Sequence, residues 1–123
     1  MHKINPVEKF SLIKEHYSPK IIAELNGQHV KLVKPLGAFP WHHHDHEDEM
    51  FLVVKGRFRM EYRDAHGEHR IELDAGEMIV VPRGTEHRPV AEQEAWIMLF
   101  EPAGTLNTGN AGGEHTVAKP GWI

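Results

Sequence analysis

With 123 residues, 40% of them hydrophobic and 26% charged, the chain has the size and composition of one globular domain built on a single core. A net charge of −4 gives no basic footprint for nucleic acid, and no apolar run reaches the roughly 20 residues of a membrane helix. The absence of cysteine excludes disulfides and thiolate metal sites, so any metal must be held by His, Asp or Glu.

The first residues, MHKINPVEKF, lack the apolar stretch of a signal peptide, and the expectation is a cytoplasmic protein. Asn5-Pro6 reads as a helix start, with Asn as the cap and Pro in the first turn. Val7, Phe10, Ile13 and Tyr17 then fall near helical spacing, and Ser18-Pro19 ends the pattern. This predicts one short amphipathic helix lying over a sheet. Asn26-Gly27 is a turn signal, and beyond it the pattern is that of strands. Gln28 to Lys34 alternates, with Val30 and Leu32 among polar neighbours. Glu49 to Lys55 is rich in Phe, Leu and Val. Arg57 to Tyr62 puts Phe58, Met60 and Tyr62 on one face, and Arg57, Arg59 and Glu61 on an exposed one. Asp64 to Gly67 reads as a hairpin loop, His69 to Leu73 as a short strand, and Asp74-Ala75-Gly76 as a turn. Glu77 to Val81 is a strand closed by Pro82-Arg83-Gly84, and Ala95 to Glu101 is the last.

Many short strands between Gly and Pro turns predict an all-β sandwich or barrel. The expected organisation is a helix and lead-in over 1–27, a barrel over 28–101, and a tail over 102–123 packed on the barrel or a partner. With about 27 residues ahead of the barrel, a helix-turn-helix DNA-binding arm is not expected. Two strands, MFLVV and AWIMLF, are apolar at both parities, where a strand covering one core would alternate. They are expected to bury one face inside the barrel and the other against the helix or a second subunit. With an exposed sheet edge, this predicts a homodimer. The Gly-, Asn- and Thr-rich tail is expected to dock through Trp122 and Ile123.

The chemistry concentrates in FPWHHHDHEDEM, residues 39–50. In extended chain, residues two apart point the same way, so His42 and His44 share a side opposite Trp41 and His43. A turn over Asp45 to Asp48 returns Glu49 to the two histidines. The result is His-x-His-x4-Glu, a ligand set suited to iron, manganese, nickel, cobalt or zinc. A register-shifted His44 and His46 pair ranks second, because it leaves only two residues to bring Glu49 back. A helical zinc-protease reading fails because position 50 is Met50. His43, Asp45, His46, Glu47 and Asp48 read as a solvated turn. Trp41 reads as core packing or pocket wall, and Phe51, Val53, Ile97 and Leu99 as barrel filling.

These residues resemble the cupin superfamily, specifically its small single-domain members. The first cupin motif matches Gly37, His42, His44, Glu49 and Gly56, with the gap from Gly37 to His42 one residue short. The second matches Gly76, Pro82, Gly84 and His87, and Ala91 stands where the pattern ends in Asn. The resemblance extends from about Gln28 to Glu101 and implies an all-β double-stranded β-helix, a jelly-roll barrel with a metal at its centre. It also implies His87 as the fourth ligand of His42, His44 and Glu49. Three imidazoles and one carboxylate leave coordination positions open, as catalytic sites require. Arg83 and Arg88 flank His87 and are the candidate anion-binding residues. Tyr62 and Glu61 are candidate acid and base, although nothing in the pattern favours them over surface roles.

A metal-dependent enzyme on a small organic substrate, of oxygenase or isomerase type, is the first functional expectation. A non-catalytic module holding a metal and a small ligand is the second. A sugar-phosphate isomerase of the mannose-6-phosphate type is the third, and it needs zinc and a phosphate-binding group. The expected partners are a small-molecule substrate and a second copy of the chain, with no nucleic acid and no membrane.

Overall fold

The computed structural model describes residues 1–123 and is a jelly-roll barrel of two antiparallel sheets with one short helix. The helix α1 spans Pro6–Phe10. The strands are β1 (Lys20–Leu25), β2 (Gln28–Val33), β3 (Gly37–Ala38), β4 (Glu49–Lys55), β5 (Arg57–Asp64), β6 (Gly67–Asp74), β7 (Met78–Val81), β8 (Glu86–Ala91) and β9 (Trp96–Pro102). One sheet runs β1-β2-β9-β4-β7 and the other β3-β8-β5-β6. Strands adjacent in sequence often lie in different sheets, which winds the chain into a double-stranded β-helix.

The two inner faces bury one apolar cluster that includes Phe51, Val53, Phe58, Met60, Ile97 and Leu99. Each such side chain contributes about 1.5–3 kcal/mol by leaving water. A second cluster lies on the outer face of the first sheet, where Phe10, Ile13, Ile22 and Leu32 are buried with Trp96, Met98 and Ile123 against them. The two-sided apolar strand β9 is thus explained: Ile97 and Leu99 fill the barrel, and Trp96 and Met98 meet the N-terminal segment. Phe10 stacks on Trp96 with ring centroids 4.8 Å apart.

Several elements differ from the sequence expectation. The helix ends at Phe10, although Ile13 and Tyr17 are both buried. Asn5 Oδ1 caps it by accepting from the backbone N–H groups of Val7 and Glu8. Beyond it the backbone N–H of Tyr17 donates to the Lys34 carbonyl, and Tyr17 adopts φ of 53°, which no helix can continue through. The lead-in contains a strand, β1, joined to β2 at Asn26-Gly27, whose φ values of 50° and 76° suit a tight hairpin turn. Strands β3 and β8 were also not anticipated, since GA is too short and EHRPVA carries a proline. In β2 Lys31 and Val33 face the barrel, while Val30 and Leu32 face the outer cluster.

The C-terminal segment returns across the barrel. The N–H of Ile21 donates to the Gly121 carbonyl and the N–H of Ile123 donates to the Ile21 carbonyl, and Ile123 joins the outer cluster. Trp122 is 58% exposed, so Ile123 and the backbone, not the indole, hold this end.

Candidate metal centre

The site is assembled by backbone pairing between two segments far apart in the chain. The N–H of His42 donates to the His87 carbonyl at 3.0 Å, and the N–H of His87 donates to the His42 carbonyl at 2.8 Å. One turn further on, the N–H of Gly84 donates to the His44 carbonyl at 2.8 Å. Glu49 opens β4 and faces inward at the same parity as Phe51 and Val53. His42, His44, Glu49 and His87 are all buried, and one ligand atom from each lies within 4.8 Å of the others. Glu49 Oε1 is 3.4 Å from His44 Nε2 and 3.6 Å from His87 Nε2.

The donor chemistry fits a metal ion. A carbonyl oxygen can only accept, so His42 Nδ1–H donates to Pro40 O at 2.9 Å and His87 Nδ1–H donates to Thr85 O at 2.7 Å. Both rings therefore carry their lone pair on Nε2, which is the arrangement that ligating histidines use. His44 Nε2, Glu49 Oε1 and His87 Nε2 are buried without any hydrogen-bond partner. Orphaned buried polar atoms are costly, and three converging on one point call for a shared partner. Burial first, then the neighbouring His87, lowers the pKa of His42 from 6.5 to about 4 against the opposing Pro40 hydrogen bond. His42 is therefore neutral and available as a ligand over the physiological range. Burial pushes Glu49 upward, and its contacts with Glu101, His44 and His87 outweigh this and hold it well below the usual carboxylate range.

Beside the site lies an apolar chamber of about 40 Å³ lined by Val33, Phe39, Phe51, Phe58, Ile97 and Leu99, with His42 and Glu49 in its wall. Its polar lining residues are already engaged. The Tyr17 hydroxyl donates to the Gly37 carbonyl, and Asn107 donates to His115 O and accepts from the Val117 N–H. The tail covers this end of the barrel: Asn110 Oδ1 accepts from the N–H of His43 at 2.8 Å, and its own N–H donates to the His43 carbonyl.

The remaining candidates lie elsewhere. His46 is exposed and outside the cluster. Arg83 is bound to Asp48 on the surface, and Arg88 donates to Glu61 while its guanidinium stacks on Trp41. Trp41 is neither core nor pocket wall; it lies between Arg63 and Arg88. Glu61 is held by Arg59 and Arg88 on the outer face of the second sheet, away from the four-residue cluster. Tyr62 stacks on His69 in an open groove whose floor includes His87. Two residues escaped the sequence reading: Lys31 and Glu101, a buried ion pair inside the barrel beside Glu49. Glu101 has the inward parity of Ile97 and Leu99, which was the available signal.

The family model of the cupin domain matches residues 29–101. The chain is 33% identical over 76 residues to the uncharacterized protein YdbB of Bacillus subtilis (strain 168), a match over 62% of this chain and 65% of that one, so slightly less than two-thirds of the relative's length is covered. The crystal structure of a cupin-2 domain containing protein from Shewanella frigidimarina superposes with a TM-score of 0.75 at 47% identity, over 80% of this chain and 93% of that one. Hydroquinone 1,2-dioxygenase PnpCD, solved in complex with Fe3+, superposes with a TM-score of 0.74 at 17% identity, over 84% of this chain and 33% of that one; it shares the fold.

Proposed function

Because the chain belongs to the cupin domain family, we propose that it holds one divalent metal ion through His42, His44, Glu49 and His87 and acts on a small organic substrate at the coordination positions left open. The observation that carries this reading is the convergence of three orphaned buried donor atoms, from His44, Glu49 and His87, with the His42 imidazole on one point. A bound iron, manganese, nickel, cobalt or zinc ion supplies Lewis-acid or redox chemistry there. The chain's own residues orient the ligands, through Pro40 and Thr85, and exclude water with the apolar chamber.

The chamber favours an oxygenase-type reaction on an apolar substrate over a sugar-phosphate isomerase. Its lining is mostly apolar, and no unpaired cation faces it. Arg83 and Arg88 are paired, Lys31 is bound to Glu101, and Lys34 Nζ donates to the Ile13 carbonyl. One observation favours the non-catalytic alternative: Tyr17 and Asn107, the polar groups lining the chamber besides His42 and Glu49, are both committed to backbone bonds and offer no free acid or base.

The test is elemental analysis of protein purified without a histidine tag or nickel resin. About one metal ion per chain is expected, and a His44→Ala/His87→Ala variant should retain almost none. Equal uptake by the parent and the double variant rejects the site. Iron or manganese, with dioxygen consumed in the presence of small phenolic or other apolar substrates, supports the oxygenase reading; metal retention without any turnover supports the binding module.

A further inference from the structure

The inner face of the second sheet is covered at one end and bare at the other. In the β5–β6 register Phe58 stands opposite Leu73, Met60 opposite Ile71 and Tyr62 opposite His69, so all six share the inward face. Phe58, Met60 and Leu73 are buried in the core, but Ile71 is 42% exposed and Tyr62 and His69 are only half-buried. The cause lies in the topology. Strands β6 and β7 follow each other across the turn at Asp74 to Glu77, yet they end different sheets and share no ladder. Away from that turn a slot of about 680 Å³ lies between them. Met60, Tyr62 and Ile71 form one wall, Ile79 and Val81 the other, and His87 lies at the floor. Tyr62 pairs with His87 and Val81 pairs with Glu49, so neighbours of two of the four clustered residues set the inner end of the slot.

Size separates the slot from the chamber that touches His42 and Glu49. An apolar cavity of about 150 Å³ accepts a benzene ring. The chamber, at about 40 Å³, is too small for one. The slot lies within the range of about 300–1,000 Å³ usual for small-molecule sites. We propose that the organic substrate enters and sits in this slot, and that it is a neutral single-ring molecule with one polar edge, of the phenol class. This deepens the reading given above and rests on its metal site. A ring between Ile71 and Ile79 covers an inward-facing isoleucine that the fold leaves in water. The stacked Tyr62 and His69 rings, with centroids 5.0 Å apart, add a flat aromatic face. The polar edge of the ligand then points to the floor, where the clustered residues are. The rim asks for no anion, because Arg63 donates to Glu86 and Arg83 to Asp48. The chamber keeps its part in surrounding the cluster with apolar groups.

The experiment titrates zinc-loaded protein, with isotope-labelled Ile, Leu and Val methyl groups, with 4-methylphenol and follows the methyl signals by NMR. Saturable shifts are expected at Ile71 and Ile79 of the slot, with Ile97 and Leu99 of the chamber unmoved. Ile71→Trp places a larger side chain in the slot at a partly exposed position. It should retain zinc and bind the phenol at least about tenfold more weakly. Saturable shifts confined to Ile97 and Leu99 overturn the proposal, as does the absence of any saturable shift. Parent-like affinity in folded Ile71→Trp overturns it too. If that variant does not fold, the methyl shifts of the parent decide. Shifts at Ile71 and Ile79 that follow dilution of the protein instead of added phenol assign the slot to a second copy of the chain and also overturn it. Zinc content of the same samples keeps two failures apart. A chain that binds no zinc rejects the metal site and the substrate seat beside it, whereas a zinc-loaded chain whose slot ignores the phenol rejects this inference alone.

Discussion

His42 shows how one side chain is prepared for a ligand role before any ion arrives. Its backbone is locked to His87, its Nδ1 proton is held by Pro40, and burial keeps it neutral. This has a consequence for stability. In the unfolded chain the imidazole takes a proton near pH 6.5; in the fold it resists down to about 4. Between those values the unfolded state binds more protons, so stability of the metal-free protein falls as pH drops. The loss from His42 alone reaches about 3 kcal/mol by pH 4. Urea unfolding of metal-free protein at pH 7.5, 5.5 and 4.5 should show a steeper decline for the parent than for His42→Asn. Parallel declines would show that His42 is not the group responsible.

The tail is the element whose role depends on one residue conformation. Gly109 sits at φ of 52° directly over the His43 carbonyl and within 3.2 Å of the His42 ring, measured from where a Cβ would stand. A side chain there collides with backbone and not with a flexible tip. Gly109→Ala should therefore lift the tail from the barrel mouth and destabilise the protein by more than about 1 kcal/mol. Limited proteolysis should cut the variant between residues 103 and 118 well before the parent; identical digestion patterns would show that the close approach does not hold the tail. The segment is stitched internally as well, with Thr108 and Thr116 hydroxyls 2.6 Å apart and Asn107 bonded to both His115 and Val117. Release is thus expected to be cooperative across the whole loop.

At the level of the whole molecule, the outer face of the first sheet is only half covered. The helix and chain end shelter β1, β2 and β9, but β4 and β7 carry Met50, Leu52, Met78 and Val80 on the same face. Met78 and Val80 are each more than half exposed. A second copy of the chain is the expected cover, because β7 is also a free sheet edge. Light scattering at micromolar concentration should give twice the chain mass, and Met78→Lys/Val80→Lys should give one chain mass with the fold intact. A parent that runs as a single chain removes the expectation.

Local pattern alone was enough to find the strands β2, β4, β5, β6, β7 and β9, because turn residues and alternation are short-range signals. Spacing also placed His42, His44 and Glu49 together, since a two-residue period and one tight turn involve only neighbours in the chain. The pairing of His87 with His42 was reached only through resemblance, for 44 intervening residues carry no local sign of which strands will meet. Which face of β2 lies inside was not legible for a related reason. Val30 and Leu32 are apolar because the outer face is itself buried by α1, a fact that no window around β2 contains. Lys31 could face inward only because Glu101, seventy residues away, supplies its counter-charge. Alternation and turn chemistry operate within a few residues, and they sufficed for most of the strands and for three of the four clustered residues. Which face of a strand is inside, and which distant charge stands opposite, depends on the packing of the whole barrel.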